Sequence, residues 1–325
     1  MTAKDNTGTK RPLIILTGPT AVGKTALSIG LAKAIQGEII SADSMQVYRG
    51  MDIGTAKITK EQMDGVPHHL IDIMDPSDSF HVMAFQQKCK EAMEDIYARH
   101  KIPILVGGTG FYIQSVLYDI SFTETDTDIE YRQELQKIAE EQGGYVLHAR
   151  LAKIDPEAAD EIHPNNVKRV IRALEFNHQT GEKISIHNEQ ERQKKSPYQF
   201  RYYVLSLPRE ILYDRINRRV DVMRQDGLVD EVKGLLQQGI TPNMVSMQGL
   251  GYKEIIDALQ GSCSFEEAFE RIKRETRHFA KRQFTWFRRE RDVTWIDKEM
   301  YENEDAILQY MIEDLKNAHI LPADQ

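Results

Sequence analysis

A chain of 325 residues, 41% hydrophobic and 28% charged, is long enough to bury one large core or two smaller ones. It has no apolar run near the ~18 residues that a bilayer span requires, so no membrane partner is expected. A formal net charge of −8 argues against indiscriminate binding to polyanions but leaves room for a local basic surface.

The opening MTAKDNTGTKRP lacks the apolar core of a signal peptide. Cys89 and Cys263 lie far apart and read as reduced thiols. Together these features give the expectation of a cytoplasmic protein. PLIIL (12–16) is a short apolar run that reads as a buried strand and leads into GPTAVGKT (18–25). ALSIGLAKAIQG has helical periodicity and ends at Gly37, which is expected to cap it. EIISADS (38–44) reads as a second strand and HHLIDI (68–73) as a third. FHVMAFQQKCKEAMEDIYARH has the spacing of an amphipathic helix, and IPILVGGTG (102–110) is another buried strand with a glycine turn. Such alternation predicts an α/β fold, a parallel sheet flanked by helices.

From 119 to 200 the chain is charged and Gln-rich, with helical patterning and no convincing buried strand. The expected organisation is a core of residues 1–118 plus 201–325, with a helical insertion domain at 119–200. RYYVLSLP (201–208) returns to the sheet, and VTWID (293–297) is the expected last strand before a C-terminal helix.

GxxxxGK[ST] between a strand and a helix is the signature of a phosphate loop. Gly18 and Gly23 permit the tight path, and the amides of Gly18, Pro19, Thr20, Ala21, Val22, Gly23, Lys24 and Thr25, proline excepted, can form an anion nest at a helix N-terminus. Lys24 would neutralise phosphate oxygens and Thr25 would ligate Mg²⁺. The loop alone predicts a di- or triphosphate ligand. Phosphate-loop NTPases place an acid after an apolar strand, yet IPILV runs into GGTG. The first acid at a strand end is Asp43, readable as a metal partner, a general base or a turn-capping acid.

Six blocks in order, DSMQVYRGMDIGTAK, VPHHLIDIMDPSDSFHVMAF, LVGGTGFYIQSVL, IHPNNVKRVIRALE, MQGLGYKE and KRQFTWFR, resemble those of the tRNA dimethylallyltransferases, also called tRNA isopentenyltransferases. With only two cysteines and no zinc-finger set, the resemblance is to the bacterial type. It implies transfer of the dimethylallyl group from dimethylallyl diphosphate to N6 of adenosine 37 in the anticodon stem-loop of tRNA, with pyrophosphate leaving. The loop would then hold a leaving group, and no phosphoryl group would move.

On that resemblance Asp43 accepts a proton from, or orients, the exocyclic amine. Lys24, Thr25-bound Mg²⁺ and Arg219 (with Arg215 second) stabilise the departing pyrophosphate. Ser44 and Gln46 help read the adenine and its neighbours, Met45 is carried over as a tRNA contact, and Thr109 lies near the reacting base. The base would be flipped out of the loop into a dry channel. Arg132, the KRVIR cluster Lys168, Arg169, Val170, Ile171 and Arg172, and Gln248, Gly249, Gly251 and Tyr252 are carried over as tRNA contacts. A monomer is expected.

Residues 271–291 hold nine Lys/Arg against two acids, interleaved with Phe279, Phe284, Trp286 and Phe287. The arginines suit a phosphate backbone, whereas the aromatics have the spacing of core packing. His68 and His69 are adjacent on a strand and point to opposite faces, so they are expected to be structural or hydrogen-bonding and not to share a metal ion. Two other readings remain at this stage: a small-molecule kinase using the same loop, and a nucleotide-gated RNA-binding switch that has no need of Asp43.

Overall fold

A computed structural model describes residues 10–122 and 128–322. The chain divides into two compact units, 1–117 with 197–325, and 118–196. The first unit is built on six strands: β1 (Pro12–Thr17), β2 (Glu38–Ala42), β3 (His68–His69), β4 (Pro103–Gly107), β5 (Gln199–Ser206) and β6 (Val293–Asp297). Their order in the sheet is β3-β2-β4-β1-β5-β6, and every pairing is parallel. Buried on both faces, β1 and β4 are nearly pure apolar runs, as parallel strands require.

Helices α1 (Lys24–Ile35), α2 (Val82–Ala98) and α3 (Gly110–Leu117) follow β1, β3 and β4. The second unit carries α4 (Ile129–Gln142), α5 (Gly144–Ile154), α6 (Pro156–Glu161), α7 (Val167–Thr180) and α8 (Ile184–Gln193). After β5 come α9 (Arg209–Gln225), α10 (Leu228–Gln237), α11 (Tyr252–Leu259) and α12 (Phe265–Phe287), and after β6 comes α13 (Glu304–Asn317).

Two local expectations are corrected. The third strand stops at His69, because Leu70 and Asp72 adopt left-handed backbone (φ 62° and 55°) and cannot continue a ladder. Helix α1 ends one residue earlier than expected, with Gln36 in the left-handed cap position (φ 54°). Gly37 is required for another reason: a Cβ there would lie 2.9 Å from the Ile102 carbonyl oxygen. The histidines are hydrogen-bonded as expected. His68 Nδ1 donates to the Val66 carbonyl, and His69 Nε2 to the carboxylate of Glu38, each at 2.8 Å.

The first unit's core lies around Ile14, Leu16, Leu31, Ile104, Tyr203, Leu205 and Met311. The second unit's core gathers Leu135, Leu147, Leu151, Val170, Ile171 and Leu174 from α4, α5 and α7. The side chain of Asp155 caps α6 through the Ala158 amide and also accepts from the Ser185 amide and hydroxyl, tying the start of α8 to that helix.

Candidate active site at the carboxyl edge of the sheet

In a parallel sheet all strands end on one edge, so the segments that leave them converge there. The glycine loop leaves β1, Asp43 leaves β2 and GGTG leaves β4. Within the loop, Gly18 (φ 146°), Ala21 (φ 65°) and Gly23 (φ 96°) adopt positive φ, bending the chain back to the N-terminus of α1. A Cβ at Gly18 would meet the Leu205 carbonyl oxygen at 2.6 Å, which demands glycine at that position.

Lys24 Nζ donates to the Gly18 and Pro19 carbonyls, each at 2.9 Å, folding the side chain over the loop. Desolvation, with help from the neighbouring charge of Arg219 and against that of Asp43, lowers its pKa to about 7. Thr25 is exposed in the first turn of α1. From α9, Arg219 donates through Nη2 to the Thr20 hydroxyl. Its Nε is buried and has no hydrogen-bond partner among the described residues. Burial presses the guanidinium toward lower pKa and the charge of Asp43 opposes this. Lysine, arginine and aspartate therefore share one electrostatic neighbourhood.

Asp43 Oδ1 accepts from the amides of Met45 (2.8 Å) and Gln46 (3.3 Å), so the residue closes a turn as well as facing the site. Gln46 is engaged internally: its Oε1 accepts from Ser41 Oγ at 3.2 Å and its Nε2 donates to the Thr55 carbonyl at 3.3 Å. Thr109 N donates to the Ala42 carbonyl at 3.3 Å, which sets Thr109 beside the strand end that delivers Asp43. The glycines before it allow this approach, because a Cβ on Gly107 would lie 2.2 Å from the Ala42 oxygen.

Sequence reasoning missed three residues that assemble the site. Gln283 on α12 accepts from the Thr20 amide and donates to the Gly108 carbonyl, both at 2.9 Å, joining the two glycine turns. It sits inside the KRQFTWFR block, which was the available signal. Glu231 on α10 accepts from the amides of Asp52 (2.8 Å), Ile53 (2.7 Å) and Gly54 (3.1 Å) and from the Tyr252 hydroxyl (2.6 Å). Lys298, just beyond β6, reaches the loop at Gly23. Neither of the last two carries a local pattern.

The residues carried over as RNA contacts separate by exposure. Lys168 and Arg169 are exposed and Arg172 is half-buried, but the side chains of Val170 and Ile171 lie in the second unit's core, and the expectation for those two is withdrawn. Arg132 makes a bidentate pair with the buried carboxylate of Glu175 through Nε (2.6 Å) and Nη2 (2.8 Å). In MQGLGYKE, Gln248 donates to the Pro242 carbonyl at 2.7 Å, and Gly251 (φ 96°) caps α11. Tyr252 is buried, with its ring against Gly54, so as a tRNA contact it too is withdrawn. Gly249 packs on Met45: a Cβ there would lie 2.6 Å from Met45 Cε. The structure thus joins this turn to the Asp43 loop. Along α12, Phe287 is buried, Trp286 packs against Gly110 and Phe111, and Arg282 lies over Phe279.

Fold and site define an α/β protein with a glycine loop at the carboxyl edge of a parallel six-stranded sheet. The family model described as IPP transferase matches residues 46–290, and one described as isopentenyl transferase matches 12–79. The chain is 58% identical over 311 residues to a tRNA dimethylallyltransferase of Lachnoclostridium phytofermentans, covering 96% of this chain and 99% of the relative. It is 53% identical to one of Bacillus pumilus, covering 89% and 90%. Among solved structures, a tRNA isopentenylpyrophosphate transferase from Bacillus halodurans superposes with a TM-score of 0.71 at 48% identity, over 95% of this chain and 98% of that one. A eukaryotic dimethylallyltransferase acting on tRNA superposes with a TM-score of 0.79 at 31% identity, over 97% and 81%. The chain belongs to the IPP transferase family.

Proposed function

We propose that this protein is a prenyltransferase that moves the dimethylallyl group from dimethylallyl diphosphate to N6 of adenosine 37 in tRNA, releasing pyrophosphate. The observation that carries the reading is the meeting of the glycine loop, the buried and unpartnered Nε of Arg219, and Asp43 at one edge of the sheet, in a chain of this family. An anionic diphosphate in the loop would give Arg219 the acceptor that it lacks. Lys24 would recover its full charge there, and loop amides and the α1 N-terminus would take the charge that develops on the leaving oxygen.

Asp43 would accept the N6 hydrogen bond, orienting the amine's lone pair toward the allylic carbon and taking up its proton. Thr109, held to the strand end that delivers Asp43, would stand beside that position. Mg²⁺ would suit the exposed Thr25 hydroxyl: the ion keeps several waters and takes phosphate oxygens, so Thr25 and the diphosphate would hold it together. When bound, it would neutralise charge on the leaving group. Lys168, Arg169, Arg172 and the cations of α12 would meet the phosphates of the anticodon stem-loop, and the enzyme would act as a cytoplasmic monomer.

The experiment is transfer of radiolabelled dimethylallyl diphosphate to unmodified tRNA with Mg²⁺. Label on adenosine 37 is the expected result. Absence of transfer together with ATP turnover would overturn the reading in favour of a kinase.

A further inference from the structure

The far side of the glycine loop carries a charge pair that the proposed reaction does not use. Lys298 follows β6, its side chain is 8% exposed, and its Nζ lies 2.6 Å from Glu304 Oε1 at the start of α13. Gly23 is bare on this side. A Cβ placed there would sit 2.7 Å from Lys298 Nζ, 3.7 Å from Glu304 Oε1 and 3.8 Å from Arg215 Nη1. The ammonium therefore lies against the backbone of the residue that caps α1, whose first turn holds no acid.

That placement sets cations at the positive end of a helix dipole, an arrangement unfavourable in itself. Among the described residues, charged groups around the loop include Lys24 from α1, Arg215 and Arg219 from α9, Lys298, and the carboxylates Asp43 and Glu304. A polyanion on the loop reverses the sign: each cation then contributes attraction, and Glu304 contributes repulsion.

We propose that Lys298 and Glu304 form an affinity-setting pair for the diphosphate, in which Lys298 adds positive potential through the Gly23 backbone and Glu304 holds it in place while moderating it. The inference rests on the diphosphate reading above. It makes Lys298 a positioning and field residue, outside direct contact with the reacting atoms.

The test is calorimetric titration of the full chain with inorganic pyrophosphate and Mg²⁺, with Tm measured in parallel. Lys298→Gln is expected to weaken pyrophosphate binding about tenfold and Glu304→Gln to tighten it about threefold, both differences shrinking at high salt. Opposite signs are the mark of a field effect, since both substitutions break the same ion pair. If both weaken binding in step with Tm, or neither changes it, the pair is a structural clamp and the inference is overturned. A wild-type protein that binds no pyrophosphate overturns the diphosphate reading itself, which separates the two failures.

Discussion

The side chain of Gln283 accepts a hydrogen bond from the amide of Thr20 at 2.9 Å, across 263 residues of chain. Its other end holds the Gly108 carbonyl, so one buried amide fixes the spacing between the glycine loop and the turn carrying Thr109. Gln283→Leu would leave a donor and an acceptor without this partner, at a cost below the about 1–3 kcal/mol of a fully buried group, because Thr20 and Gly108 are half-buried. The expected outcome is a lowered Tm and weaker pyrophosphate binding, read by thermal unfolding and calorimetry. Unchanged binding would show that the loop holds its shape without this strut.

Lys24 gives a pH dependence with a definite sign. Its pKa in the free protein is about 7, against an ordinary 10.5, because burial and Arg219 oppose its charge. An anion in the loop restores the charge, so binding above pH 7 takes up a proton, and apparent pyrophosphate affinity falls as pH rises from 7 toward 10. For folding, a depressed lysine pKa means that the unfolded chain binds more protons between pH 7 and 10.5. This group therefore adds stability as pH rises through that window. Calorimetry at pH 8 in buffers of different ionisation enthalpy reads the proton uptake directly.

Asp43 both closes a turn and faces the site, and two substitutions separate the roles. Asp43→Asn keeps an oxygen for the Met45 and Gln46 amides, so Tm should stay close to wild type while prenyl transfer falls by about 10²–10⁴. Asp43→Ala should lose transfer and also lower Tm. Transfer that survives Asp43→Asn would reduce the residue to a structural cap.

Glu231 latches the segment after Asp43 through three successive amides and the Tyr252 hydroxyl. Burial and this carboxylate hold the Tyr252 phenol far above its ordinary pKa, so its hydroxyl remains a donor to Glu231. Glu231→Ala should lower Tm and raise the KM for tRNA more than it lowers kcat. Hydrogen exchange at residues 52–54 would report the released loop.

Arg132→Ala tests a residue with two readings. Its partner Glu175 is 1% exposed, and removing one member of such a pair leaves an uncompensated carboxylate. The second unit should lose stability, by less than a fully buried pair would cost because Arg132 itself is 44% exposed. Arg132→Lys keeps the charge but loses the bidentate geometry. If tRNA affinity follows Tm across both variants, Arg132 acts by bracing α4 against α7. A loss of affinity at unchanged Tm would assign it to the RNA.

Features with a short sequence period were legible from the chain alone. Apolar runs marked β1 and β4, the GxxxxGK[ST] spacing marked the loop, and the first acid at a strand end marked Asp43. These signals are local because strand burial, loop conformation and helix capping are decided by neighbouring residues. Contacts made across the chain lack such a signature. Only the fold shows that Gln283 joins two glycine turns, that Glu231 latches residues 52–54 and that Lys298 lies against Gly23. Only the packed cores show that Val170, Ile171 and Tyr252 within basic or polar blocks face inward. A strand end supplies the position of a functional group, but its charge and its partners depend on which distant elements the parallel sheet gathers at the same edge.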